Sequence, residues 1–299
     1  MRKTSFEGME GMEGMVGLVS GGSGGLGSGF FADRIDLPFV TVGDFTPIDE
    51  KACWTPSFPV NNWTPEWYSW LVLTEFVRDD AWTGWGDSLL QPWMKHAGHV
   101  DWTSDTAKPK IAKEIAALVT AARDERADAL GEILGQSTEF VSYFLNLAAV
   151  PNTHPQTGRM LRIDNFIGGY CAMYYKGLFQ RLRPSMVWPP LLPPTAVPGH
   201  ASFPSGHSTQ AHLIQLCLKD VLANRPDLAT LVDDALILAD RIARNRELAG
   251  LHYRSDSVAG ATLAGKAYGM LQTLAAKKPE PPNWYSIALS KAQAEWALK

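Results

Sequence analysis

The sequence predicts an all-α fold, a bundle of antiparallel helices, and three observations carry that expectation. Apolar residues recur at helical spacing through most of the chain between residues 106 and 276. No segment keeps the apolar-polar alternation of a strand. The stretch WPPLLPPTAVPG, Trp188 to Gly199, is too proline-rich for regular structure and reads as a loop that crosses between helices.

The elements follow in chain order. Residues 1–50 hold a short MEG repeat, a Gly/Ser run and scattered apolar residues, the composition of an extended or flexible arm. Residues 51–105 form a Trp-rich helical segment expected to pack on the core. Trp54 to Trp102 holds eight of the chain's 11 tryptophans, and Trp63, Trp67 and Trp70 are spaced to share one buried helix face. Residues 106–276 make the main bundle. Ile111, Ile115, Leu118 and Val119, then Leu130, Ile133 and Leu134, mark at least two amphipathic helices between Lys110 and Val150. A further helix is predicted from Met160 to Arg183, stopped by Pro184, and others from about His207 to Ala223, Leu228 to Ala249 and Ser255 to Leu274. Residues 277–299 form a C-terminal tail or helix.

Composition narrows the partners. A hydrophobic content of 45% supports a substantial core, and a net charge of −4 supplies no basic field for a nucleic-acid backbone. An anion site must therefore be a local cluster of cations. Cys53, Cys171 and Cys217 are odd in number and far apart, the pattern of buried thiols rather than disulfides. His96 and His99 are three apart, but no carboxylate or cysteine pattern accompanies them as metal ligands. The N-terminal residues lack the apolar run of a secretory signal, and Ser257 to Ala275 is glycine-interrupted and contains Lys266, so it falls short of a spanning helix. The expectation is a soluble, cytoplasmic protein.

Three motifs carry chemistry. Lys176 and Arg183 are seven apart, which on one helix puts two cations on one face about 10 Å apart along the axis. Alone, the pair also reads as a solvated basic face that includes Arg181. Ser205-Gly206-His207 follows the proline-rich loop and opens an apolar helical run. Ser205 can cap that helix, Gly206 admits close backbone approach, and the free amides at the helix start attract an oxyanion. His207 then stands where it could exchange a proton with a leaving group. The other reading is a capped helix with an incidental histidine. Arg246 and His252 are six apart and would point about 120° away from each other on an unbroken helix, so a break is needed, and Gly250 provides it. Asp256, four residues beyond His252, can hold one imidazole nitrogen so that the other faces the pocket.

In order and spacing, Lys176 with Arg183-Pro184, then Pro204-Ser205-Gly206-His207, then Arg246, His252 and Asp256 resemble the signature of the type 2 phosphatidic acid phosphatase and vanadium haloperoxidase superfamily. The likeness covers about residues 176–256. It implies that family's helical bundle, with Lys176, Arg183, Arg246, Ser205 and Gly206 holding the oxyanion, His252 as nucleophile, His207 as general acid and base, and Asp256 orienting His252. Asn245 stands where the phosphatases usually have serine.

The resemblance leaves two chemistries. As a phosphatase the protein takes a small phosphorylated substrate through a phosphohistidine and needs no cofactor. As a haloperoxidase it binds vanadate, with His252 as the vanadium ligand, and acts on halide plus peroxide. His200 and the run HASFPSGHSTQ resemble bromoperoxidases, in which a histidine tunes the halide site. Ser255, where bromoperoxidases usually have an aromatic residue, and the chain length resemble the soluble acid phosphatases. Phosphatase is the reading taken forward, haloperoxidase the alternative, and a non-catalytic phosphate-binding module the third. A homodimer is compatible with the superfamily.

Overall fold

In the computed structural model, residues 58–90, 101–148, 153–277 and 283–297 are described, and every regular element among them is helical. The expected arm at residues 1–50, Cys53, and the pair His96 and His99 lie outside the described residues. The α-helices are α1 (Pro65–Phe76), α2 (Gly86–Leu90), α3 (Lys108–Asp124), α4 (Arg126–Thr138), α5 (Val141–Leu147), α6 (Pro155–Phe179), α7 (Pro184–Val187), α8 (Gly206–Val221), α9 (Ala229–Leu248), α10 (Arg254–Ala276) and α11 (Trp284–Glu295).

Helix α8 is the axis of the bundle and packs against α6, α9 and α10. Its residues Ala211, Leu213, Ile214, Cys217, Leu218 and Val221 are buried on several faces, as a helix surrounded by others requires. Each such large apolar side chain contributes about 1.5–3 kcal/mol through burial. Three buried polar residues of the same helix are satisfied by carbonyls: Thr209 Oγ1 donates to that of Ser205, Ser208 Oγ to that of Ser257 and Gln210 Nε2 to that of Asn165. Outside this core, α1 and α11 lie on α6, while α3 and α4 pair with each other and pack on α9. Glutamates cap helices from a distance. Glu295 accepts from the amides of Gln156 and Thr157 at the start of α6, and Glu75 from those of Trp284 and Tyr285 at the start of α11.

Glycine permits a close approach of α10 to α8. A Cβ on Gly260 would sit 2.7 Å from the Ser205 carbonyl oxygen and 2.8 Å from Ser208 Cβ. Gly260→Ala therefore forces the two helices apart at the turn that holds the Ser-Gly-His motif. We expect a loss of about 1–3 kcal/mol in a denaturant titration, accompanied by weaker binding of inorganic phosphate.

Several boundaries and faces differ from the sequence expectation. Helix α6 starts at Pro155 rather than near Met160 and ends at Phe179, so Arg183 is not on it. Gln180 adopts a left-handed conformation, φ 47°, without the glycine that commonly marks such an end. The tryptophan stripe is not core: Trp63 precedes α1, while Trp67 and Trp70 are 64% and 47% exposed. Tyr68, Val72, Leu73 and Phe76 form the buried face instead. Leu130, Leu134 and Val119 are likewise exposed, although Ile115, Leu118 and Ile133 are buried as expected. Among the described residues no helix is long and apolar enough to cross a membrane.

Candidate active site

The three motifs meet at the start of α8. Ser205 is the N-cap of α8: its side chain accepts from the Ser208 amide, and its own amide donates to the Asp256 carbonyl at the start of α10. One bond thus ties the second motif to the third. A Cβ added to Gly206 would meet only ordinary contacts, with Gln210 Oε1 at 3.7 Å and Lys176 Cε at 3.9 Å. Packing alone therefore does not demand glycine there, and the space it keeps open lies beside the Lys176 side chain.

The cations are fixed by backbone carbonyls. Lys176 Nζ donates to the carbonyls of Ala201 and Ser202 at 2.8 and 2.9 Å, which leaves one of its three hydrogens over. Arg183, from the extended chain after α6, donates Nε to the His200 carbonyl at 3.0 Å and Nη1 to that of Leu251 at 3.0 Å. Its Nη2 lies 3.0 Å from His200 Nδ1, a nitrogen that is also 3.1 Å from the Ala201 carbonyl, so Nδ1 accepts from Arg183 in one tautomer and donates to Ala201 in the other. Arg246, in the last turn of α9, donates Nη2 to the Ile133 carbonyl of α4 at 2.7 Å, and its buried Nε has no partner. All three side chains are buried, and among the described residues none makes an ion pair with a carboxylate. Burial pushes the Arg183 and Arg246 guanidiniums down to about 10 and the Lys176 ammonium well below its usual range, the last helped by the Arg183 charge. Asp256 offsets part of the charge of Lys176 and Arg183, and an anion bound among the three cations relieves the remaining cost of burying them.

The third motif sits on the break expected at Gly250. Its φ of +73° turns the chain, and the amides of Leu251 and His252 both reach back to the Arg246 carbonyl. Asp256 stands in the first turn of α10, where Oδ2 accepts from the Tyr253 amide at 3.0 Å, from His252 Nδ1 at 3.2 Å and from Ser202 Oγ. A carboxylate only accepts, so Nδ1 of His252 carries the hydrogen and Nε2 holds the lone pair, 3.4 Å from Arg183 Nη1. Although burial opposes its charge, Arg181 and the bonds from His252 and Ser202 hold the Asp256 carboxyl well below the usual carboxylate range. His207 is placed by α4: its Nε2 is 3.2 Å from the Gln136 carbonyl, and its ring lies against Phe140. Since a carbonyl accepts, Nε2 carries that hydrogen and Nδ1 is left for proton transfer.

Some of the site's residues come from outside the motifs. Arg181 is buried beside Asp256 rather than on a solvated face, and Glu114, Ser202, Ile133 and Gln136 complete the support of Asp256, Arg246 and His207. Asn245 Nδ2 bonds to Glu132 and Gln136 of α4, so it steadies the helix whose carbonyls hold His207 and Arg246. His212 is buried against the Ser208 carbonyl and has no place in the cluster. A cavity of about 960 Å³ is lined by Arg181 and Tyr253 with Trp102, Ile111 and Trp188, but by none of the three motif cations.

Residues 161–275 match the model of the PAP2 superfamily, a span that includes every motif residue named above. This stretch of the chain is a PAP2 superfamily domain. The residues of α3 and α4 that support the site of this PAP2 domain lie before the matched span. The chain is similar to the crystal structure of a transmembrane PAP2-type phosphatidylglycerolphosphate phosphatase from Bacillus subtilis, with 14% identity and a TM-score of 0.34, over 70% of this chain and 94% of that one. No curated protein matches the chain.

The imidazoles of the PAP2 domain give a pH dependence. Burial, with the charges of Arg246, Lys176 and Arg183, holds His207 well below its usual 6.5, and burial with Arg183 and Lys176 does the same to His252 against the pull of Asp256. Burial, Lys176 and Arg183 bring His200 to about 4. In the unfolded chain these groups take up protons near 6.5, whereas the folded protein resists until lower pH. Stability they provide is therefore complete above 6.5 and lost as pH falls toward their folded values. We expect the melting temperature in phosphate-free buffer to fall between pH 7 and pH 4.5, and saturating inorganic phosphate to flatten that fall.

Proposed function

We propose that the protein is a phosphatase, a phosphoric monoester hydrolase that works through a phosphohistidine and acts on small phosphomonoesters. The observation that carries this reading is the set of three buried cations, Lys176, Arg183 and Arg246, pinned by carbonyls and lacking carboxylates of their own, around an imidazole whose lone pair faces Arg183. Fixed donors of this kind stabilise charge on five-coordinate phosphorus without reorganising during the reaction.

In the first step His252 Nε2 attacks phosphorus as the ester P–O bond breaks, and the leaving oxygen takes a proton from His207 Nδ1. That proton is held once the negative charge of bound phosphate offsets the cations around His207. In the second step water attacks the phosphoryl group and gives its proton to His207, the P–N bond breaks and phosphate leaves. Asp256 holds Nδ1–H throughout and stabilises the charge that grows on the His252 ring. Ser205 and the Gly206 amide complete the oxyanion cradle at the start of α8.

One observation favours a second reading, a vanadate-dependent haloperoxidase. His200 lies against Arg183, with Nδ1 3.0 Å from Nη2, which puts an imidazole beside the oxyanion cations. The same donors, with the unpartnered Nε of Arg246, fit vanadate, which Lys176, Arg183, Arg246, Ser205 and Gly206 would hold with His252 as its ligand. Bound there, vanadate would supply the activation of peroxide toward halide. The purified protein is expected to hydrolyse p-nitrophenyl phosphate without added vanadate. Absence of hydrolysis together with bromination of phenol red in vanadate, peroxide and bromide would select the second reading.

A further inference from the structure

Arg181 belongs to none of the motifs, yet it is one of the most deeply buried charged side chains, 2% exposed. Its Nη1 donates to Asp256 Oδ1 at 2.6 Å and to Ser255 Oγ at 2.7 Å, and its Nη2 donates to Glu114 Oε2 at 3.0 Å. The guanidinium lies 3.7 Å from the ring centre of Tyr253 and 4.6 Å from that of Trp102. Glu114 in turn accepts from the amide and hydroxyl of Ser255, the second residue of α10. Arg181 is thus held between the start of α10, where Nη1 meets Ser255 and Asp256, and α3, where Nη2 meets Glu114.

This arrangement divides the two oxygens of Asp256. Oδ1 is committed to Arg181, and Oδ2 collects His252 Nδ1, Ser202 Oγ and the Tyr253 amide. A carboxylate whose oxygens are assigned in this way cannot rotate away from the imidazole, and it presents a single acceptor to it. We propose that Arg181, backed by Glu114, is a positioning residue for the His252–Asp256 pair, fixing the carboxylate so that His252 keeps its hydrogen on Nδ1 and its lone pair on Nε2. The proposal rests on His252 being the reacting imidazole, but its readout does not depend on which reaction the protein carries out.

The charged groups that bear on the pair are Arg183 and Lys176 toward His252, Arg181 toward Asp256, and Glu114 behind Arg181. In Arg181→Gln the neutral side chain keeps polar contact but removes the cation nearest Asp256. The test is nitrogen NMR of histidine-labelled protein without phosphate, with the His252 signals assigned by their loss in His252→Ala. We expect wild-type His252 to be in the Nδ1–H form. In R181Q the two tautomers should mix, and the imidazole titration should move up by about one pH unit. Turnover of p-nitrophenyl phosphate should fall about 10- to 100-fold with KM within about threefold, as when the group behind a ligand or nucleophile is lost.

A folded R181Q with unchanged His252 tautomer and titration overturns the proposal, whatever its turnover. Should R181Q fail to fold, Glu114→Gln releases Arg181 from the far side, and the same two signals decide the question. If the NMR signature moves but the wild type hydrolyses no phosphate ester, the positioning role stands and the phosphatase reading fails.

Discussion

Replacing His252 with alanine is expected to lower kcat for p-nitrophenyl phosphate by at least about 10⁴-fold, the scale seen when a catalytic nucleophile is removed. Phosphate binding should survive, because Lys176, Arg183 and Arg246 are each held by backbone carbonyls that do not involve the imidazole ring. Titration calorimetry with inorganic phosphate should give a Kd within about tenfold of wild type. Such a split separates an enzyme from a phosphate-binding module, which would have no turnover to lose.

The second large effect is expected at Arg183. Its guanidinium bonds at once to the His200 carbonyl, the Leu251 carbonyl, His200 Nδ1 and His252 Nε2. A lysine offers three hydrogens from one point and cannot meet that set while also reaching an anion. Arg183→Lys should therefore reduce kcat/KM by about 10²- to 10³-fold, the usual cost of one oxyanion donor. Because the guanidinium also ties the His200 loop to the turn before α10, a moderate fall in melting temperature should accompany the kinetic loss. A variant with wild-type kcat/KM would remove Arg183 from the oxyanion set.

The fold class and the motif residues were legible in the sequence because both depend on local order. Helical periodicity marked α6, α8, α9 and α10, and Ser205 and Gly250 announced a helix cap and a helix break by their own chemistry. What escaped depends on contacts distant in sequence or on groups that every residue carries. Arg181 reads as one more surface cation until Glu114, 67 residues earlier, and Asp256, 75 residues later, close on it. The supports of His207 and Arg246 are the main-chain carbonyls of Gln136 and Ile133, which no side-chain pattern reveals. The end of α6 was invisible for a related reason. Gln180 takes the left-handed turn usually given to glycine, so the spacing of Lys176 and Arg183 looked like one continuous helix. Trp67 and Trp70 misled through size: their spacing is helical, but the face they share points outward.

Three parts of the PAP2 domain converge on the site. Helix α8 supplies the amide end and His207, α6 and the chain after it supply Lys176 and Arg183, and the α9 to α10 turn supplies Arg246, His252 and Asp256. Helices α3 and α4, which precede the domain's matched span, support the site from behind, Glu114 holding Arg181 and Ser255, Ile133 holding Arg246 and Gln136 holding His207.

The most direct test of the central claim is a rapid quench into alkali of the wild-type protein turning over a phosphomonoester labelled on phosphorus, followed by peptide mapping. An acid-labile, alkali-stable phosphoryl group is expected on His252, forming within the first turnover and absent from His252→Ala. Steady hydrolysis by the folded protein with no phosphoryl group on any histidine, or with the label on a residue other than His252, would contradict it.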